Sequence, residues 1–303
     1  SVLENAGAKD TDMIIAVTRN DEINMIVCQI ASSLFNISKK IARIRSQEFL
    51  EGKWSKLYSK SNIPIDVIIS PEREVAKSLF RKLEAPGALD NVPFVKDKVK
   101  LLEILIEKKC PIANIPLNDL TKKYPEFKAY IFGAERKDKF VFFKKNDQMK
   151  VGDKVYLVVS TDQINKLLSV FGHDEKIAKK ILIIGGGNVG LHLAKLLETS
   201  EGLRTKIIEK DKIRAEQIAS ELSSSIVICG DPLDEKILKE ANIEEVETVF
   251  ALTEDDEDNI MACVLAEKYT PSKRTIAIIN KQNYNILQES LKIDDLVDPR
   301  MAT

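Results

Sequence analysis

Apolar residues along this chain fall into two alternating patterns. Short unbroken runs, such as Ile181-Leu182-Ile183-Ile184, suit strands buried on both faces of a parallel sheet. Between them lie stretches with apolar residues at helical spacing, such as Val189, Leu193, Leu196 and Leu197 within 188–198. From residue 180 onward the pattern predicts strands at 180–184, 205–209, 225–229, 246–252 and 274–279. Helices are predicted at 188–198, 213–222, 235–240 and 256–268. Strand and helix alternating in this way predict an α/β fold with a doubly wound, Rossmann-like parallel sheet.

The start of the chain repeats the later part of that pattern. Residues 6–24 align with residues 241–259 at a constant offset of 235. Ala16, Thr18, Asp21, Glu22 and Asn24 match Ala251, Thr253, Asp256, Glu257 and Asn259. Cys28 matches Cys263, Ala31 matches Ala266, Ile41 and Ala42 match Ile276 and Ala277, and Gln47 matches Gln282. After an insertion in the first copy, Asp66 and Pro71 line up with Asp294 and Pro299. This first copy predicts strands at 13–17, 40–44 and 67–69 and a helix at 22–34. A further helix runs from Pro71 to about Leu83, with Ser70 as N-cap and Pro71 at N1. The equivalent of residue 179 falls before Ser1, so the first copy is expected to be truncated, without its glycine-rich turn. The chain is expected to be a fragment of a longer duplicated protein.

Between the copies the pattern changes to a small α+β module. Strands are predicted at 98–107, 130–134, 139–143 and 154–159, and helices at 116–124 and 161–171. Residues 149–154 supply a turn before the last strand. The domain boundaries read from sequence are 1–87 for the first Rossmann-like unit with a connecting helix, 88–174 for the α+β module, and 177–303 for the second unit.

Composition narrows the function. A formal charge of −1 gives no electrostatic case for nucleic acid. No apolar run approaches the ~20 residues that span a bilayer. The cysteines, Cys28, Cys110, Cys229 and Cys263, are scattered and have no histidine near them, which argues against a zinc site or a disulfide framework. A reduced, cytoplasmic setting follows.

The candidate chemistry lies in Gly185-Gly186-Gly187-Asn188-Val189-Gly190, directly after a predicted strand and at the start of a predicted helix. Glu209 ends the next strand, 19 residues past Gly190, close to the ~20 of the dinucleotide-binding pattern. Gly185 permits the tight turn, Gly187 lets the backbone approach a pyrophosphate, and Gly190 lets the helix pack on the sheet. Free N–H groups at the helix start bind phosphates. Glu209 accepts from ribose hydroxyls and repels a 2′-phosphate, which favours NAD(H) over NADP(H); Lys210 softens that exclusion. The competing interpretation is a vestigial turn that binds nothing.

Other candidates sit at strand ends, where such sheets take ligands. Asp231 and Thr253 are placed for ligand contact or for helix capping, and Asn280 ends the fifth strand. Glu254-Asp255-Asp256-Glu257-Asp258 suits a cation site or a solvated helix start favoured by the dipole. His192 and His173 have no visible catalytic partner and suit surface or packing roles, and Cys28 and Cys263 suit packing. Arg43 and Arg45 share a strand face by the two-residue period, placed to reach a phosphate or to stand as surface arginines.

Together, the duplicated Ala16-Val17-Thr18-x-x-Asp21-Glu22-x-Asn24-Met25 pattern, Arg43-Ile44-Arg45, the α+β module and Gly185 to Gly190 resemble the regulatory subunits of Trk-type potassium uptake systems. These carry tandem RCK (KTN) units, and the resemblance covers essentially the whole chain. It implies a non-enzymatic, cytoplasmic protein, peripheral on the inner face of the membrane, that gates a membrane-embedded potassium transporter subunit. It implies NAD(H), with ATP or ADP as further ligands, and assembly into dimers or tetrameric rings. By position, Thr18, Arg19 and Arg43 would contact a first nucleotide. Gly185, Gly186, Gly187, Asn188, Val189 and Glu209, joined by Thr253, would contact a second. Glu254 stands where the first copy has Arg19, and Ile278 and Asn280 stand where it has Arg43 and Arg45, so the two sites are expected to differ.

The main alternative is an NAD-dependent oxidoreductase, which needs a hydride acceptor site and usually a general acid or base. A third is a ligand sensor attached to another channel or transporter.

Overall fold

The computed structural model describes residues 2–50, 54–59, 62–175, 177–269, 274–281, 283–284 and 288–300. Gln282, paired with Gln47 by the repeat, lies outside them.

The second unit is built as the apolar runs predict. Its elements are β9 (Lys180–Ile184), α7 (Asn188–Glu198), β10 (Arg204–Glu209), α8 (Lys212–Glu221), β11 (Ile226–Cys229), α9 (Glu235–Glu240), β12 (Thr248–Ala251), α10 (Asp256–Tyr269), β13 (Arg274–Ile278), α11 (Gln288–Leu291) and β14 (Asp295–Val297). All pairings are parallel, in the order β11-β10-β9-β12-β13-β14. The order reverses between β9 and β12, which opens a crevice at the carboxyl ends of those strands. Ile181 to Ile184 are buried on both faces, as a central parallel strand requires.

The first unit comprises α1 (Val2–Asn5), β1 (Met13–Ala16), α2 (Asp21–Phe35), β2 (Lys39–Arg43), α3 (Gln47–Leu50), β3 (Val67–Ile69) and α4 (Pro71–Glu84). Its strands pair in the order β1-β2-β3, also parallel. The duplication extends to the ladder: Ala16 faces Ala42 as Ala251 faces Ala277, and Arg43 faces Ile69 as Ile278 faces Val297.

Polar side chains repeat as faithfully. Asn24 Oδ1 accepts from Thr18 N and Oγ1, each at 2.8 Å, while its Nδ2 donates to Thr18 O and to Arg43 O. Asn259 makes the same bonds with Thr253 and with Ile278 O. Asp21 Oδ2 receives the N–H groups of Arg45 and Ser46, and Asp256 receives those of Asn280 and Lys281. Asp66 and Asp294 each accept one strand N–H at 2.7 Å, from Lys40 and Thr275. The Thr-x-x-Asp-Glu-x-Asn pattern is therefore a backbone clamp that ties one strand end, the following helix and the next strand end together.

The middle module has β4 (Asp90–Phe94), β5 (Val99–Leu105), α5 (Leu117–Lys123), β6 (Ala129–Arg136), β7 (Lys139–Phe142), β8 (Lys154–Ser160) and α6 (Ile164–Val170). Its antiparallel sheet runs β4-β5-β8-β6-β7. Leu102, Ile104, Val155, Leu157 and Val159 alternate inward along β5 and β8 to form its core. Strand β4 escapes the sequence reading because Pro93 sits in it; β4 pairs with β5 alone, an edge position that tolerates proline. A short 3-10 turn over Thr161–Gln163 precedes α6, where a single helix was predicted.

Two further results differ from the expectations. Helix α4, grouped by sequence with the first unit, packs on the second. Its stripe Val75, Ala76, Leu79 and Leu83 is buried among Ile183, Leu191, Ala194, Phe250 and Ile276. Amphipathic spacing says which face of a helix is apolar, not which sheet receives it. Ser70 holds the N-cap position of α4, but its buried hydroxyl makes no cap bond. The Ser70 carbonyl accepts the first helical bond, from Glu74 N–H at 3.1 Å.

Glu198, at the end of α7, gathers the backbone N–H groups of Ser223, Ser224 and Ser225 at the entry to β11. Burial alone would raise its pKa; those donors and the Ser225 hydroxyl prevail and hold it at about 2. Among the described residues no helix is long and apolar enough to cross a membrane.

Candidate functional site

Each glycine of the turn between β9 and α7 has a distinct steric reason. Gly185 has φ +103, and a Cβ there would sit 2.9 Å from the Leu252 carbonyl and Thr253 N. A Cβ on Gly186 would lie 2.4 Å from Ile218 Cδ1 and 3.0 Å from Glu209 Oε2. On Gly190 it would lie 2.0 Å from Gly185 O, so only glycine lets α7 close on the turn. Gly187 differs, since a Cβ there would meet no protein atom within 4 Å. The backbone at Gly187 is bare on the side of the crevice, as close approach of a pyrophosphate requires.

This turn walls an open cavity of about 430 Å³. Gly185, Gly187, Asn188 and Glu209 line it with Thr253. Gly186, Val189 and Gly190 stand behind the wall. Charged groups of both signs line it: Glu209, Glu254 and Asp258, with Lys210 and Arg214.

Glu209 is fixed more tightly than its sequence position suggested. Its Oε2 accepts from Gly186 N at 2.7 Å and its Oε1 from Asp211 N at 2.8 Å. Each oxygen keeps acceptor capacity for a ribose hydroxyl. Lys210 pairs with Asp231 at 3.1 Å. The carboxylate of Asp231 also accepts Leu233 N–H, and these two contacts, the backbone bond first, hold its pKa low. Asp231 does not line the cavity, although its partner Lys210 does.

Arg214 is the residue that sequence reasoning missed. It lies in the first turn of α8, capped by Asp211. Its Nε donates to Gly186 O at 2.9 Å, and its Nη2 lies 3.4 Å from Asn188 Oδ1. The guanidinium thus straps the glycine turn and adds positive charge to the cavity wall. The available signal was its place three residues after the cap of the helix that follows Glu209.

The remaining candidates sort by their bonds. Thr253 lines the cavity, but its hydroxyl is committed to Asn259 Oδ1 and Asp255 O. Asn280 donates its side-chain N–H to Asp256. The acidic run divides its tasks: Asp256 clamps backbone, Asp255 caps Asp258 N, and Glu257 pairs with Lys281 at 2.7 Å. Lys281 and then Tyr284 hold the Glu257 carboxyl at about 2. His192 and His173 are buried, the former within α7 and the latter against Gly87. Cys28 and Cys263 are buried packing residues.

In the first unit, Arg43 Nη2 donates to Thr18 O at 2.8 Å, which brings those two residues together. Arg19 is exposed. Strand β2 ends at Arg43, and Arg45 beyond it lies 3.6 Å from Glu72. Ile44 N–H still donates to Ile69 O, and Ala42 and Ile44 are buried while Arg43 and Arg45 are not; Asp21 takes the backbone N–H groups of Arg45 and Ser46.

Comparison with known proteins places the chain in a family and gives its fold relatives. The TrkA-N domain matches residues 1–71 and 181–299, and the TrkA-C domain matches residues 101–172. A Trk system potassium uptake protein TrkA from Azorhizobium caulinodans is 43% identical over 303 residues, covering 100% of this chain and 66% of that protein. The chain thus spans just under two thirds of that relative's length. The GsuK RCK domain superimposes with a TM-score of 0.67 at 18% identity, covering 98% of this chain and 61% of the other. A GsuK channel bound to NAD gives 0.65 at 16% identity, covering 95% and 49%.

Proposed function

The chain belongs to the TrkA family, and we propose that it is the nucleotide-sensing part of a subunit that regulates a membrane-embedded potassium transporter. The carrying observation is the crevice at the carboxyl ends of β9 and β12, where Gly187 leaves bare backbone beside the start of α7. In this reading Gly185, Gly187 and Asn188 hold the phosphates, Glu209 takes a ribose, and Arg214 and Lys210 supply positive charge. Gly186, Val189 and Gly190 set the turn, and Thr253 shapes the floor. The preferred ligand is NAD(H), because the Glu209 carboxylate disfavours a 2′-phosphate; ATP and ADP fit the same phosphate-binding turn. A similarly folded channel is bound to NAD.

Regulation requires that the nucleotide favour one arrangement of the units over another. Helix α4 is the physical link, since it leaves the first sheet and is buried in the second. Thr18, Arg19, Arg43 and Arg45 would serve the first unit's ligand. The subunit works as a dimer or tetrameric ring, peripheral on the cytoplasmic face of the membrane.

No histidine lines the cavity, and His192 and His173 are both packed away from it. Of the groups on the wall that could move a proton, Glu209 is held by the Gly186 and Asp211 N–H groups and Lys210 by Asp231. The deciding experiment is calorimetric titration of the purified chain with NADH, NAD, ATP and ADP, alongside assays for NADH oxidation across common carbonyl substrates. Saturable binding without turnover is expected. Hydride transfer to any substrate would overturn the regulatory reading, and no binding of any nucleotide would overturn the site.

A further inference from the structure

The middle module walls a second, open-sided cavity of about 630 Å³, which nucleotide sensing does not use. It opens between α5, α6 and the β6 side of the antiparallel sheet. Leu120, Phe127, Ile131, Leu167 and Phe171 are representative of its wall, which is aliphatic and aromatic. The volume falls in the ~300–1,000 Å³ range of small-molecule sites, which are lined mainly by apolar groups with a few polar ones.

The charged groups at this cavity are of one sign, beside the neutral Asn118, Thr121 and Tyr130. Lys144 and Lys145 line it, and no acidic side chain does. Among the described residues neither ammonium has an ion-pair partner, although both are exposed at the rim. The nearest carboxylate along the chain, Asp147, accepts the backbone N–H of Lys144 and is not part of the wall. An apolar chamber with two uncompensated cations at its mouth is complementary to a ligand with a hydrocarbon body and one anionic end.

We propose that this cavity binds an amphipathic organic anion of the medium-chain carboxylate class, with its chain between α5 and α6 and its carboxylate at Lys144 and Lys145. The site is separate from the glycine turn and does not depend on nucleotide binding there.

Calorimetric titration of the purified chain with octanoate and decanoate, below their micelle concentrations, tests this directly, with octylamine and octanol as controls. Each buried methylene contributes up to about 0.8 kcal/mol, so decanoate is expected to bind up to about fifteenfold tighter than octanoate. Octylamine is expected to bind at least about tenfold more weakly than octanoate. The double variant Lys144→Glu, Lys145→Glu, altered only at exposed positions, should lose that preference for the carboxylate. Val170→Trp should block binding by filling the chamber, with NADH titration reporting separately on the nucleotide site. The proposal is overturned if neither carboxylate binds, if octylamine binds as well as octanoate, or if charge reversal changes nothing. It is also overturned if sedimentation shows the cavity closed by a second copy that the carboxylates do not displace.

Discussion

Lys82 Nζ lies 2.9 Å from Asp295 Oδ1, although 213 residues separate them in sequence. Arg274 joins from the other side, Nη2 to Asp295 Oδ2 at 2.8 Å and Nη1 to Lys82 O at 2.7 Å. All three side chains are largely buried, so the trio closes the end of α4 onto β13 and β14. Burial alone would raise the Asp295 pKa; Arg274 and then Lys82 reverse that and hold it low. Asp295→Ala leaves two cations without their anion, and losing one partner of a buried pair costs about 3 kcal/mol or more. Urea denaturation should show the loss. An unchanged midpoint would mean that α4 is held by its apolar stripe alone.

The glycine turn makes a sharper prediction because two similar substitutions should act differently. Gly190→Ala forces a Cβ against Gly185 O and should destabilise the protein by about 1–3 kcal/mol, as overpacking does, while weakening NADH binding. Gly187→Ala meets no protein atom and should change stability by no more than about 0.5 kcal/mol. It should still weaken NADH binding at least about tenfold, because the methyl group occupies ligand space. Thermal unfolding and NADH titration of both variants check this.

Much of this fold was legible in the sequence. The runs around Ile181 and Phe250, the helical spacing in α7 and the 235-residue repeat led directly to a doubly wound sheet and its copy. What was hidden depends on contacts that sequence spacing does not encode. Arg214 reaches the turn only because α8 starts beside it. Thr253 looked like a ligand contact because a strand-end threonine suits either role, and its commitment to Asn259 appears only in three dimensions. Arg43 turns back onto Thr18 O while Arg45 faces Glu72, a difference in partners that the strand period does not encode.

The clamp asparagines should behave as a matched pair. Asn24 and Asn259 are fully buried, and each satisfies groups on two strand ends. Truncating either to alanine strands buried donors and acceptors, at about 1–3 kcal/mol per unsatisfied group. Asn259→Ala should lower the urea midpoint, and Asn24→Ala should raise amide exchange around β1 and β2 specifically. Equal, small effects would show that water replaces the side chain.

Acid should loosen the loop before β11. Glu198 has a folded pKa of about 2 against an ordinary 4.5. The unfolded chain therefore binds the extra proton first as pH falls, and stability is lost between those two values. Above pH 5 or so the contribution of Glu198 is complete. Glu198→Gln should flatten the dependence of the urea midpoint on pH over this window, and an unaltered slope would refute the clamp.

Thiol chemistry should single out one cysteine. Cys229 is exposed, whereas burial raises the thiol of Cys28 to about 11 and that of Cys263 to about 12. A thiolate-selective reagent at pH 8 should modify Cys229 within minutes and leave Cys28 and Cys263 intact until the protein unfolds. Mass mapping of the labelled peptides distinguishes them.

The burial of α4 also sets a timetable for biosynthesis. Ribosomes add ~5–20 residues per second, so Lys82 emerges roughly 10–40 s before Asp295 exists to receive it. Val75, Leu79 and Leu83 first gain partners when β9 and α7 are made, and full cover when Phe250 and Ile276 follow. Until the second unit is made, the nascent chain carries an unsheltered apolar helix, the kind of exposed segment that chaperones hold.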